Sequence, residues 1–132
     1  MTFEPIVALY AALLGLLAAY LTMSVILTRV RTGIESGDGG SEDMMRVLRA
    51  HGNFVEQAPM MLILIAAGEA AGARDIVVHV LGIALIVARV ASAIALNRTI
   101  RQTNLRRFSG GLSDLILIAA SVVILLALAG VR

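Results

Sequence analysis

Long apolar stretches separated by short polar segments dominate this 132-residue chain. Four of them approach the roughly 20 residues that a helix needs to cross about 30 Å of hydrocarbon. Helices are favoured because backbone groups in lipid must be satisfied within their own segment. The pattern predicts an all-α fold, a transmembrane four-helix bundle that forms one domain over residues 1–132. The predicted spans are approximately 6–28, 44–68, 76–97 and 112–131.

Composition supports a membrane protein and excludes several other classes. Hydrophobic residues make up 59% of the chain and charged residues 15%, more apolar surface than a soluble domain of this size can bury. The chain has no cysteine and two histidines that lie far apart, so neither a disulfide framework nor a metal site is expected. A net charge of +2 without basic runs interleaved with aromatics argues against a nucleic-acid partner.

The distribution of arginine predicts the orientation of the spans. The first stretch lacks a basic leader and is too long for a signal peptide, so it is interpreted as a retained span. Most arginines lie in or beside the first and third connections, including Arg29, Arg31, Arg98 and Arg101. The positive-inside rule then places these long loops in the cytoplasm and both termini outside.

The second span carries an unusual polar face. At 100° per residue, Arg46, Arg49, Asn53 and Glu56 fall within an arc of about 80°. An ionised residue at the centre of a membrane helix costs roughly 2.5–3.5 kcal/mol, so such residues need partners. This face indicates a binding surface for a small, charged, zwitterionic ligand.

The third span offers a partner for this face. Counted along the two helices, Glu56 and Arg89 lie at similar depths, about 12–15 Å from one membrane face. They are therefore expected to form an intramembrane ion pair or to share a ligand, and a pair that only locks two helices together is the structural alternative. For Arg46, snorkelling toward lipid headgroups is the alternative to a ligand role.

The residues Arg49, Asn53, Glu56 and Pro59 also form the pattern R-x3-N-x2-E-x2-P. This pattern, together with four spans, a long first loop, Arg89 within the third span and a basic segment after it, resembles the MAPEG family of membrane-associated proteins in eicosanoid and glutathione metabolism. The similarity covers nearly the whole chain and is greatest to the short bacterial members.

The resemblance implies a homotrimer that binds glutathione, as co-substrate, between neighbouring subunits near the cytoplasmic side. It also implies that an arginine beyond the third span stabilises the glutathione thiolate. The candidates are Arg101, Arg106 and Arg107. Arg106 is preferred, and Ser109 is a nearby hydroxyl donor. Arginines that only hold lipid headgroups are the alternative for this segment. The implied glutathione-binding residues are Arg46, Arg49, Asn53, Glu56, Arg89 and Arg101, and the implied catalytic residues are Arg106, Arg107 and Ser109.

The implied function is a glutathione transferase of the bacterial inner membrane, with possible peroxidase activity, that conjugates lipophilic small molecules in detoxification. The alternative is a non-catalytic scaffold of the same fold that binds lipids or fatty acids. A small transporter ranks last because no inverted repeat or pair of broken helices is found. Two departures from the family bear on this choice: Gly52 stands where several members have a second arginine, and the third span lacks the tyrosines of the eicosanoid synthases.

Overall fold

Four α-helices form the computed structural model, which describes residues 5–131. No strand occurs within that range, so the predicted all-α, four-helix bundle is confirmed. The helices are α1 (Ile6–Thr32), α2 (Glu42–Ala70), α3 (Asp75–Arg98) and α4 (Asn104–Leu128).

Helices α2 and α3 form the centre of the bundle, since each contacts the other and both outer helices. Within residues 5–131, α1 and α4 do not touch each other. The core is made of apolar side chains from all four helices, among them Leu21, Met61, Leu85 and Ile116. Many large apolar side chains of α1 and α4 point outward instead, as expected where lipid is the surrounding solvent.

Three helices, α1, α3 and α4, are long and apolar enough to cross a membrane. Helix α2 has 29 residues, the longest of the four, but its first half carries the charged residues that lower its apolar character. Its apolar run follows Glu56 and continues through Pro59 without a break in the helix. The charged half of α2 is therefore the part of the bundle most suited to a polar ligand.

The boundaries of α2 and α4 follow from their caps. Ser41 accepts a hydrogen bond from the Met44 backbone N–H at 3.3 Å and so caps a helix with acidic residues in its first turn. Thr103 caps α4 in the same way, with Arg106 N–H donating at 3.1 Å. The helix that contains most of the predicted fourth span begins eight residues before the expected start of that span near residue 112, and it includes Gly110 and Gly111.

Close packing of Tyr10 on Gly82 joins α1 to α3 at the end of the bundle opposite the long loops. A Cβ on Gly82 would overlap the Tyr10 ring, so only glycine permits this approach. The Tyr10 hydroxyl lies 2.8 Å from His79 Nδ1 and donates to the His79 carbonyl at 3.2 Å. At the same end, the Glu69 carboxylate accepts from the backbone N–H groups of Ile6 and Val7 and so caps α1 from the last turn of α2.

Candidate functional site

A cavity of about 580 Å³ opens beside the charged half of α2. This volume lies within the range typical of small-molecule sites. We call it the main cavity. Arg49, Asn53 and Glu56 all line it, so the face predicted from helical spacing exists as one wall of a cavity. The full lining is Asp38, Met45, Leu48, Arg49, Gly52, Asn53, Glu56, Leu96 and Arg106.

The side chain of Asn53 has a fixed orientation in this wall. Its Oδ1 accepts hydrogen bonds from Arg89 Nη1 at 3.0 Å and from Ser92 Oγ at 2.8 Å. Because an arginine can only donate, the Asn53 atom that faces it must be the carbonyl oxygen. The amide Nδ2 is left as a donor for a ligand, so Asn53 is prepared to bind an acceptor such as a carboxylate or a thiolate.

Arg89 is the buried residue that holds this arrangement. It is only 1% exposed, and its guanidinium bridges Asn53 on α2 and the Ser113 hydroxyl on α4. Arg89 Nε has no hydrogen-bond partner within the described chain. A buried cation is costly unless hydrogen bonds replace its water. Because the acceptors of Arg89 lie on α2 and α4, this residue of α3 connects three helices beside the site.

The expected direct ion pair between Glu56 and Arg89 is not formed within residues 5–131. The ion pairs in this range involve only Arg31 and Arg46 with nearby acidic residues. The neutral groups of Asn53 and Ser113 accept from the two Nη atoms of Arg89 instead, while Glu56 is exposed and lines the main cavity. The Asn53 amide oxygen, on the same face of α2 as Glu56, accepts from Arg89 in its place. The depth of a residue along its helix does not distinguish Asn53 from Glu56 as the partner of Arg89.

Arg106 is the candidate thiolate-stabilising residue that reaches the main cavity. The Thr103 cap fixes its position in the first turn of α4, and its Nη1 donates to the Ile100 carbonyl at 3.3 Å. Since Arg49 comes from α2 and Arg106 from α4, the cavity has cationic groups on two different walls.

A second cavity of about 310 Å³ adjoins the first and shares Asn53, Leu96 and Arg106 with it. We call it the side cavity. Arg107 and Ser109 line the side cavity and not the main one. The Ser109 hydroxyl donates to the Arg106 carbonyl at 3.1 Å within its own helix, so in this conformation it is not the free donor that was expected.

Besides the buried Arg89, two further predicted ligand residues lie outside both cavities. Arg46 forms ion pairs with Asp43 and Glu42 on its own helix, and its Nη1 donates to the Arg98 carbonyl at 3.5 Å. Arg101 is exposed in the segment between α3 and α4. These local pairs compete with any ligand for Arg46, and a single chain does not bring either arginine to the site.

Sequence reasoning missed several polar residues of the site. Ser92 could have been found, because it lies three positions after Arg89 and so shares its helical face. Ser113 lies within the predicted fourth span, but spacing along one helix does not show which of its residues contact Arg89 on another helix. Asp38 lies in a glycine-rich loop, where helical spacing gives no information about the direction of a side chain.

Comparison with known families decides the classification. The model of the MAPEG family matches residues 7–127, nearly the entire described chain. The chain belongs to the MAPEG family. This confirms the resemblance carried by Arg49, Asn53, Glu56 and Pro59 and, with the three membrane-compatible helices, makes the chain a membrane protein of that family.

The names of individual relatives state a cellular location but no activity. The chain is 36% identical over 83 residues to the inner membrane protein YecN of Escherichia coli strain K12, and equally to YecN of Escherichia coli O6:H1. The aligned part covers 63% of this chain and 63% of each relative, less than two thirds of either. No solved structure matches the chain. The names of these relatives state where they reside and nothing about a substrate.

Proposed function

We propose that this protein is a membrane-bound glutathione transferase that conjugates lipophilic electrophiles. The observation that carries the proposal is the main cavity, in which Arg49, Asn53 and Glu56 of α2 face Arg106 of α4. Family membership supports the same conclusion, because the family includes glutathione transferases.

The charges of the cavity complement those of glutathione, which has two carboxylates, one ammonium and a thiol. A guanidinium can pair with a carboxylate through two parallel hydrogen bonds, which suits Arg49. Glu56 suits the ammonium of the γ-glutamyl end. The donor Nδ2 of Asn53, which Arg89 and Ser92 orient, supplies a further contact to an anionic group.

Arg106 would promote the chemistry by stabilising the thiolate, the reactive form of the sulfur. A nearby cation favours the thiolate and so lowers the pKa of the thiol. The thiol proton leaves to water, and the sulfur then forms a bond to the electrophilic carbon. With an aryl halide as the electrophile, halide departs with the bonding electrons, and the products are the thioether and a halide ion.

The membrane supplies the second substrate and the setting. Lipophilic electrophiles dissolve in the bilayer and can reach the apolar outer faces of α1 and α4 without crossing water. Arg49 and Glu56 are exposed in the single chain, and a homotrimer would enclose them between neighbouring subunits. The YecN relatives favour the bacterial inner membrane. The positive-inside rule favours the cytoplasm for the arginine-rich loops, where glutathione is available.

A stopped-flow assay of the purified protein in detergent tests this function. Glutathione alone should produce thiolate absorbance, and addition of an aryl halide should produce the conjugate. A matched sample of Glu56→Gln should show less of both, because the ammonium of glutathione loses its counter-charge.

The outcomes of this assay separate the candidate functions. Thiolate and conjugate together support the transferase. Binding of glutathione without conjugation would favour the non-catalytic scaffold that binds lipids or fatty acids, and absence of any glutathione binding would contradict the proposal.

A further inference from the structure

Hydrogen bonds hold the loop between α1 and α2 against the end of α1, and this loop contributes to the lining of the main cavity. Arg29 Nη1 donates to the carbonyls of Ile34 and Gly37, at 3.1 and 3.2 Å. Gly37, Gly39 and Gly40 have positive φ values of 63°, 55° and 74°, which other residues rarely adopt. The loop therefore has a defined course.

This course places Asp38 in the lining of the main cavity, together with Arg49, Glu56 and Arg106. The Oδ1 of Asp38 accepts from the Gly40 N–H at 3.0 Å. No hydrogen bond or ion pair among residues 5–131 engages its other oxygen, Oδ2. One carboxylate oxygen thus maintains the turn, and the second is free to contact a ligand.

The charged groups that line the main cavity indicate what Asp38 could bind. Asp38 and Glu56 form no ion pair within the described chain, and neither do Arg49 and Arg106. Two carboxylates and two guanidinium groups therefore line one cavity without forming an ion pair with each other in the described chain. Arg49 suits a carboxylate of a peptide thiol and Arg106 suits its thiolate, which leaves the two carboxylates of the cavity for its one cationic group.

We propose that Asp38 is a specificity-determining residue that binds the α-ammonium group of the thiol substrate from the loop side, opposite Glu56. This inference rests on the proposed function and names its substrate class more closely. The site would select thiols with a free amino group over thiols in which that amine is acylated, because an amide cannot supply the positive charge.

Calorimetric titration of the full-length protein in detergent tests the role of Asp38, with glutathione and N-acetylglutathione as probes. The variant is Asp38→Asn, because an asparagine Oδ1 still accepts from Gly40 N–H while the charge is lost. The control is Glu35→Gln, which removes an exposed acidic residue of the same loop that does not line the cavity. Melting temperatures of all three proteins should agree.

Asp38→Asn should bind glutathione about tenfold more weakly, the size expected for loss of one charge-assisted hydrogen bond. Its affinity for N-acetylglutathione should stay at the wild-type value, and Glu35→Gln should match wild type with both probes. Equal affinity of Asp38→Asn and wild type for glutathione would overturn the inference, and so would an equal loss for both probes or a comparable loss in Glu35→Gln. Failure of the wild type to bind glutathione at all would instead overturn the proposed function, and this inference with it.

Discussion

Arg89 of α3 donates to Asn53 Oδ1 of α2 at 3.0 Å, and this contact determines which end of the asparagine amide faces the main cavity. Arg89 is buried and does not line that cavity, whereas Asn53 does. The buried cation therefore acts on a ligand through Asn53, whose Nδ2 it leaves free to donate. The contact between Arg89 and Asn53 therefore affects both ligand binding and the stability of the bundle, and substitutions of Asn53 can distinguish the two effects.

Two substitutions of Asn53 should separate them. Asn53→Asp keeps an acceptor for Arg89 and Ser92 but removes the donor toward the cavity, so the melting temperature should be at least that of wild type while glutathione affinity falls by about tenfold or more. Asn53→Ala should lower both, because Arg89 Nη1 loses its partner. Thermal unfolding in detergent and calorimetry measure the two effects. Wild-type binding by Asn53→Asp would show that Nδ2 does not contact the ligand.

The Arg89–Ser113 contact should contribute to stability. Ser113→Ala removes an acceptor of a buried guanidinium, which should cost about 1–3 kcal/mol of unfolding free energy. Ser121→Ala is the control, because its hydroxyl bonds only the Leu117 carbonyl of its own helix, at 2.8 Å. Chemical denaturation of the two variants should separate them clearly, and equal stabilities would mean that Ser113 does not support Arg89.

Substitutions of two buried glycines should differ sharply. Gly82→Ala places a Cβ that overlaps the Tyr10 ring, so the ring or its helix must shift at a cost of about 1–3 kcal/mol. In Gly68→Ala the nearest atoms to the new Cβ, on Ile124 and Val123, lie at ordinary distances of 3.6 and 3.7 Å. A melting temperature lowered only in Gly82→Ala would support this packing, whereas similar values for the two variants would argue against it.

The three arginines after α3 should contribute unequally to catalysis. Arg106→Ala should reduce thiolate formation and conjugation by about 100-fold, the effect typical of removing a group that stabilises a developing anion. Arg101→Ala should have little effect because Arg101 is exposed outside both cavities. Arg107→Ala should be intermediate, since Arg107 lines the side cavity. Thiolate absorbance at equal protein concentration measures all three, and a larger loss in Arg101→Ala than in Arg106→Ala would reverse the assignment.

The sequence predicts the fold and one wall of the site for clear physical reasons. Four stretches of membrane length require helices in lipid, and regular spacing along α2 brings Arg49, Asn53 and Glu56 to one face. Depth alone could not identify the partner of Arg89, because Asn53 and Glu56 lie three residues apart on one face of α2. A carboxylate is the stronger partner for a cation, but the structure places the Asn53 amide oxygen against Arg89 instead.

Hydropathy could not predict the start of α4 or the course of the first loop. A charged segment with two glycines is typical of a loop, but here it is helical, because Thr103 caps α4 before it and Ser109 is buried within it. The course of the first loop depends on hydrogen bonds from Arg29 to backbone carbonyls. Such contacts leave no periodic pattern, so the place of Asp38 in the cavity could not be read from its position in the chain.

Calorimetric titration of glutathione into the purified wild-type protein tests most directly whether the charged face of α2 is a glutathione site. We expect saturable binding by wild type, a loss of about tenfold or more in affinity for Arg49→Gln and Glu56→Gln, and wild-type affinity for Arg74→Gln, which removes an exposed arginine at the other end of the bundle. No binding heat with wild type, or equal affinities for all four proteins, would contradict it.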